Sequence, residues 1–69
     1  MIGEELRKAR QRAGLTQEEL AYRAKLHRTY IGLLERDKRS PTLDVLFRLC
    51  EAMGVKPSRL IARIEKNAK

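Results

Sequence analysis

Apolar residues recur along this chain at helical spacing, and no stretch alternates as a half-buried strand would. Ile2, Leu6, Ala9 and Ala13 line one face, and Gly14 follows where a left-handed C-terminal cap would sit. Thr16-Gln17-Glu18-Glu19 reads as a capping box, the Thr16 hydroxyl accepting from an early amide while Glu19 reaches back, and Leu20, Ala21 and Ala24 continue an inward face. This second helix is short and ends near Lys25. The pattern restarts after Leu26, with Ile31 and Leu34 inward and Arg28, Thr29, Gly32, Leu33 and Arg36 opposite, which predicts a third helix over roughly 28 to 36.

The polar run Asp37-Lys38-Arg39-Ser40-Pro41 marks a loop before Thr42 caps a fourth helix, which Gly54 stops. Only Asp44, Arg48 and Glu51 are polar within it, so this helix is expected to be apolar on most sides and central to the core. Pro57 suits the first turn of a fifth helix with Leu60, Ile61 and Ile64 as its apolar stripe, and Lys66 to Lys69 reads as a frayed polar tail. The expectation is an all-α, five-helix single domain over 1–69, with an ordered core of about 3–65.

Length and composition narrow the function. A chain of 69 residues makes at most one domain and buries only about 60% of its unfolded surface, which leaves no room for an effector domain. Sixteen Lys and Arg against nine Asp and Glu give a net charge of +7, a balance that draws a domain toward polyanions without naming one. The single cysteine, Cys50, requires no oxidising compartment and behaves as a small hydrophobe. The MIGEELRKAR stretch carries acids and no apolar run, so no signal peptide or membrane span is expected and the cytoplasm is the expected location.

With one His, one Cys and no Gly-rich phosphate loop, the chain offers neither a catalytic constellation nor a metal ligand set; no enzyme activity, cofactor or metal is expected. RNA readers favour exposed aromatics, and this chain has one Phe, two Tyr and no Trp. Two short helices joined by a tight turn and followed by a basic loop do match a helix-turn-helix, whose second helix enters the major groove. Any helical hairpin gives that spacing. The outward face of the third helix sharpens the reading, because it lacks the carboxylates that a solvated helix would carry at four-residue spacing.

The stretches LRKARQRAGLTQEELAYRA and LHRTYIGLLERDKRSPTLDVLFRLCEAMGV resemble the lambda-repressor-like helix-turn-helix family of the Cro and XRE type, over about residues 3 to 64. Within it, HRTYI followed by ER resembles the controller proteins of restriction-modification systems. The resemblance implies a double-stranded DNA-binding transcriptional regulator. It implies that Gln17 holds a phosphate with its amide aimed outward, and that Arg28 and Thr29 read base edges, an arginine gripping guanine O6 and N7. Leu33 occupies another base-reading position where relatives are often polar; contact with a thymine methyl and packing against Tyr22 or Tyr30 both remain open.

Gly32 weakens a helix interior, which close approach to DNA or loose packing would each explain. Arg36, Lys38 and Arg39 match phosphate-clamping positions, and the Tyr30 hydroxyl is either a further phosphate contact or the tip of a core-filling ring. Asp37 stands where the family often has glycine, and His27 at the N-cap of the third helix where many relatives have Ser or Thr. The resemblance further implies a largely buried Arg10–Glu35 salt bridge that fixes the angle of the third helix.

A single recognition helix specifies few base pairs, so a homodimer on a near-palindromic operator is expected, with Leu60, Ile61 and Ile64 as dimer contacts. Burial of that stripe inside the monomer is the competing reading. Regulation would work by occupancy, blocking RNA polymerase or recruiting it, with no small-molecule effector. The rival function is an antitoxin-like or protein-docking module of the same fold that acts through the fifth helix.

Overall fold

A computed structural model of the chain describes residues 1–68 as five α-helices, with no strand among the described residues. They are α1 (Ile2–Arg12), α2 (Gln17–Ala24), α3 (Arg28–Glu35), α4 (Leu43–Met53) and α5 (Pro57–Lys66). α1 packs on α3 and α5, and α4 packs on α2 and α5. Leu6, Leu20, Ile31, Leu34, Leu49 and Leu60 fill the centre, so every helix contributes to one core. No helix is long and apolar enough to cross a membrane among the described residues.

Capping chemistry sets most boundaries. Gly14 takes φ +73°, which turns the chain so that the Leu15 N–H reaches Arg10 O at 3.1 Å and the Leu15 side chain re-enters the core. At the start of α2 the Glu19 N–H donates to Thr16 Oγ1 at 3.0 Å, and the Thr16 N–H donates to Glu19 Oε1 at 2.8 Å. The backbone bond from Thr16, then its hydroxyl, holds the Glu19 carboxyl below the usual range. The Thr42 hydroxyl accepts from Val45 N–H at 3.1 Å to begin α4, and Gly54 at φ +70° ends it.

α2 ends without glycine. Lys25 adopts φ +59°, and Arg48 of α4 donates from Nη2 to the carbonyls of Ala24 and Lys25 at 2.8 and 2.9 Å, satisfying acceptors that a helix end leaves orphaned. The start of α1 abuts the end of α3 so closely that a Cβ on Gly3 would run into the carbonyl groups of Leu34 and Glu35. That approach sets the positive end of one helix dipole against the negative end of another.

Several expectations are corrected. α4 is not apolar to the core on most sides: Leu46, Leu49, Cys50 and Met53 are buried, whereas Leu43 and Phe47 face solvent. Burial pushes the Cys50 thiol up from its ordinary pKa. Leu60 is 0% exposed, because α5 lies across α1 and α4 and seals the core with this residue, so it cannot serve as a dimer contact. Ile64 is half-buried against the same core, which leaves Ile61 as the exposed member of the stripe. Lys66 belongs to α5, and Asn67 is tied down by donating from Nδ2 to Glu5 Oε2 at 2.8 Å; of the predicted frayed tail, Lys69 lies outside the described residues.

Candidate nucleic-acid interface

The start of α2 and the outward face of α3 form one concave surface of about 710 Å³, bordered by Gln17, Glu18, Arg28, Thr29, Gly32 and Arg36. α3 begins here because His27 caps it: its Nδ1 accepts from the Thr29 N–H at 3.1 Å. The cap places Arg28 and Thr29 in the first turn with both side chains exposed. Arg28 Nη1 lies 3.4 Å from Glu18 Oε2, a partner on α2 that the third-helix pattern does not suggest.

Further along α3, Gly32 lies beneath its neighbour Arg36, whose Nη1 would sit 3.1 Å from a Cβ placed there. Leu33 is half-buried rather than exposed, and Tyr22, at 86% exposure, stands out in solvent and cannot be the side chain that covers it. Tyr30 packs its ring partly against the core, and the Arg39 guanidinium lies 5.8 Å over that ring, a cation–π contact that steadies one of the loop cations. Arg36 and Lys38 are exposed on either side of Asp37.

Behind this surface Arg10 and Glu35 form a two-pronged pair, Nε to Oε2 at 2.6 Å and Nη2 to Oε1 at 3.1 Å, with the side chains only 12% and 4% exposed. The remaining Arg10 nitrogen, Nη1, donates to Leu15 O at 2.9 Å, so the pair links α1, the turn before α2, and α3. The Gln17 amide does not aim outward as expected: its Nε2 donates to Glu35 Oε1 at 3.0 Å, because a carboxylate held by Arg10 still has lone pairs to fill. The backbone amides of the first turn of α2 are left as its anion-facing donors.

Asp37 was expected only to tolerate the left-handed region, which it does at φ +57°. It also accepts from the Met1 ammonium at 2.8 Å and from the Gly3 N–H at 2.9 Å, and these bonds, the ammonium first, hold its carboxyl below the usual range. Asp37 thereby serves as the missing cap of α1. No signal in the sequence connects positions 3 and 37. No group of His, Cys, Asp and Glu side chains placed to hold a metal occurs among the described residues. The arrangement gathers hydrogen-bond donors and cations along the start of α2 and the exposed side of α3, a chemistry suited to phosphates and base edges.

A profile of the helix-turn-helix family HTH_3 matches residues 6–60. The chain is 37% identical over 62 residues to the control protein C.BamHI of Bacillus amyloliquefaciens, covering 88% of this chain and 76% of that one. Its fold superposes on the restriction-modification controller protein C.AhdI of Aeromonas hydrophila with a TM-score of 0.82 at 37% identity, covering 86% of this chain and 89% of the other. The biofilm regulator SinR, solved in complex with DNA, superposes with the same TM-score of 0.82 at 26% identity, over 88% of this chain and 98% of that one. The capped α2–α3 pair, its lambda-repressor-like surroundings and these likenesses agree: the chain belongs to the Cro/C1-type helix-turn-helix family of DNA-binding transcription regulators, which are not enzymes.

Proposed function

We propose that the protein binds a near-palindromic operator as a homodimer, each copy inserting α3 into a major groove. The observation that carries this reading is the face of α3, where Arg28 and Thr29 project from the first turn, free of any carboxylate on that helix face. Arg28 reads guanine and Thr29 an adjacent base, while half-buried Leu33 keeps enough exposed surface to meet a thymine methyl and Gly32 lets the backbone come close. The first-turn backbone amides of α2, the cations Arg36, Lys38 and Arg39, and Tyr30 hold phosphates and set the register.

Dimerisation passes from Leu60 to Ile61 of its stripe and to the exposed apolar residues of α4. Leu43 and Phe47 share a face of α4 and are exposed, as is Ile61 of α5, and large apolar side chains left in water favour a second copy. Burial of Leu60 weighs against the rival docking module acting through the α5 stripe. Regulation then follows protein concentration through the monomer–dimer equilibrium, in the cytoplasm and without an effector. The dimer acts by occupancy, blocking or recruiting RNA polymerase, and control of a restriction-modification system is the role that the controller-type relatives favour.

Selection from a random duplex library tests the reading. The native chain should enrich a two-fold site, and Arg28→Ala should lose about 1–3 kcal/mol of discrimination at one base pair in each half-site. Lys38→Ala should weaken all sequences alike and flatten the salt dependence. Absence of any enriched site would reject the proposal.

A further inference from the structure

Among the described residues, Glu18 is the one carboxylate bordering a concave surface whose other lining residues are arginines or uncharged, and it meets Arg28, the foremost base-reading candidate. A negative charge there opposes the approach of phosphates, so its presence at this position needs a reason. Its side chain and that of Arg28 are both well exposed, 77% and 67%, and the 3.4 Å spacing makes the pair one that opens readily. Neither carboxylate oxygen of Glu18 caps a helix; the capping duty falls to Glu19. The pair also joins α2, which crosses the backbone, to α3, which enters the groove, so it lies where phosphate contact and base contact compete for one guanidinium.

Resting on the DNA-reading role proposed above, we infer that Glu18 is a specificity-determining residue that acts through Arg28, holding its guanidinium against stray phosphates until a guanine replaces the carboxylate. On a random duplex the protein is held by Arg36, Lys38, Arg39 and the start of α2, and Arg28, neutralised locally by Glu18, releases no counterion. On the operator, α3 sits deep enough for guanine O6 and N7 to take both prongs of Arg28, and the carboxylate gives way. The pair therefore weakens non-specific binding more than specific binding, which widens the gap between the two.

Glu18→Gln removes the charge and keeps the shape, at an exposed position whose loss leaves the core and the capping box intact. Affinity for a random-sequence duplex and for the selected site would be followed between 50 and 200 mM salt, for the native chain, Glu18→Gln, Arg28→Ala and the double variant, about the range over which phosphate contacts dominate. In Glu18→Gln the random duplex should bind about three- to tenfold more tightly and its log–log salt slope should steepen by about one, as one further phosphate is neutralised. The selected site should gain less, so the ratio of specific to non-specific affinity falls by about threefold or more. In the Arg28→Ala background the same replacement should leave the salt slope unchanged, because Glu18 acts through the arginine.

A steeper slope that persists without Arg28 would mean that Glu18 merely repels phosphates, and an unchanged slope and ratio would mean that it does nothing to Arg28; either overturns the inference. The random-duplex measurements need no operator. If the native chain selects no site while these slopes behave as stated, the groove-reading role fails and the pairing of Glu18 with Arg28 stands as a damper on non-specific binding alone, which overturns the specificity claim.

Discussion

α1 and α4 stop at Gly14 and Gly54, whereas α2 and α3 reach the same left-handed geometry at Lys25 and Asp37. Glycine enters that region freely; a residue with a Cβ gives up roughly 1–2 kcal/mol to do so. At the two strained ends the cost is offset from a distance, by Arg48 donating to the carbonyls of Ala24 and Lys25, and by the Asp37 carboxylate accepting from Gly3 and the N-terminus. The helices that only support the site thus end by local chemistry, while the two that carry it are positioned by hydrogen bonds to groups 23 to 36 residues away in sequence. Arg10 and Glu35, 25 residues apart, follow the same rule at the back of α3.

Breaking the distant contacts should hurt most. Glu35→Ala leaves Arg10 shielded from water without its partner and releases Gln17, and a loss of about 3–5 kcal/mol is expected in urea unfolding. Gly3→Ala forces α1 off the end of α3, because the obstruction is backbone rather than a movable side chain, and should cost about 2–3 kcal/mol. The glycine end should be milder: Gly54→Ala meets open space, so its loss of about 1 kcal/mol reflects backbone conformation alone.

Two substitutions sharpen the comparison by separating stability from function. Gly32→Ala adds helix propensity and asks only the flexible tip of Arg36 to move, so thermal unfolding should show a gain of up to about 1 kcal/mol. On the proposed reading DNA affinity should nevertheless fall in that variant, since the added methyl displaces the Arg36 guanidinium beside the base-reading residues. Lys25→Gly relieves the strained end and should stabilise by about 0.5 kcal/mol, the opposite sign to Gly54→Ala. An unchanged affinity in Gly32→Ala would show that loose packing, not close approach, accounts for the glycine.

The smallest expected effect is one of pH. The Asp37 carboxyl has its pKa lowered in the folded state, so its contribution is fully present above the unfolded value near 3.9 and is lost as pH falls through the folded value. Acid unfolding of Asp37→Asn should therefore lack the part of the pH dependence that the native chain shows below about pH 4. Identical acid profiles for the two chains would show that the bonds to Gly3 and the N-terminus add nothing in solution.

The same division governs what the sequence disclosed. The capping box at Thr16–Glu19, Gly14, Thr42 and Gly54 are local signals, and from them the helix boundaries were legible to within a residue or so. Of the outward set expected for α3, Arg28, Thr29 and Arg36 are exposed, whereas Gly32 is buried beneath Arg36 and Leu33 is half-buried. Arg48, Gly3 and the second duty of Asp37 were not legible, since each depends on where α1 and α4 come to rest against the pair they clamp. The apolar surplus of α4 was visible, but its destination was misjudged: hydrophobic pattern counts apolar faces without saying which meets the core and which, as with Leu43 and Phe47, is left for another surface. Leu60 was misassigned for the converse reason, being the residue of its stripe that α1 and α4 enclose.

The most direct test of long-range placement is the affinity of an Arg10→Met/Glu35→Leu double variant for the selected site, taken beside its melting temperature. Apolar replacement of a shielded pair is often neutral or stabilising, so the melting temperature should hold or rise. With the α1–α3 prongs and the Gln17 anchor gone, α3 should lose its fixed angle and specific affinity should fall at least tenfold, about 1.4 kcal/mol. A variant that melts as the native chain does and binds the site equally well would contradict the claim that these distant polar contacts aim the recognition helix.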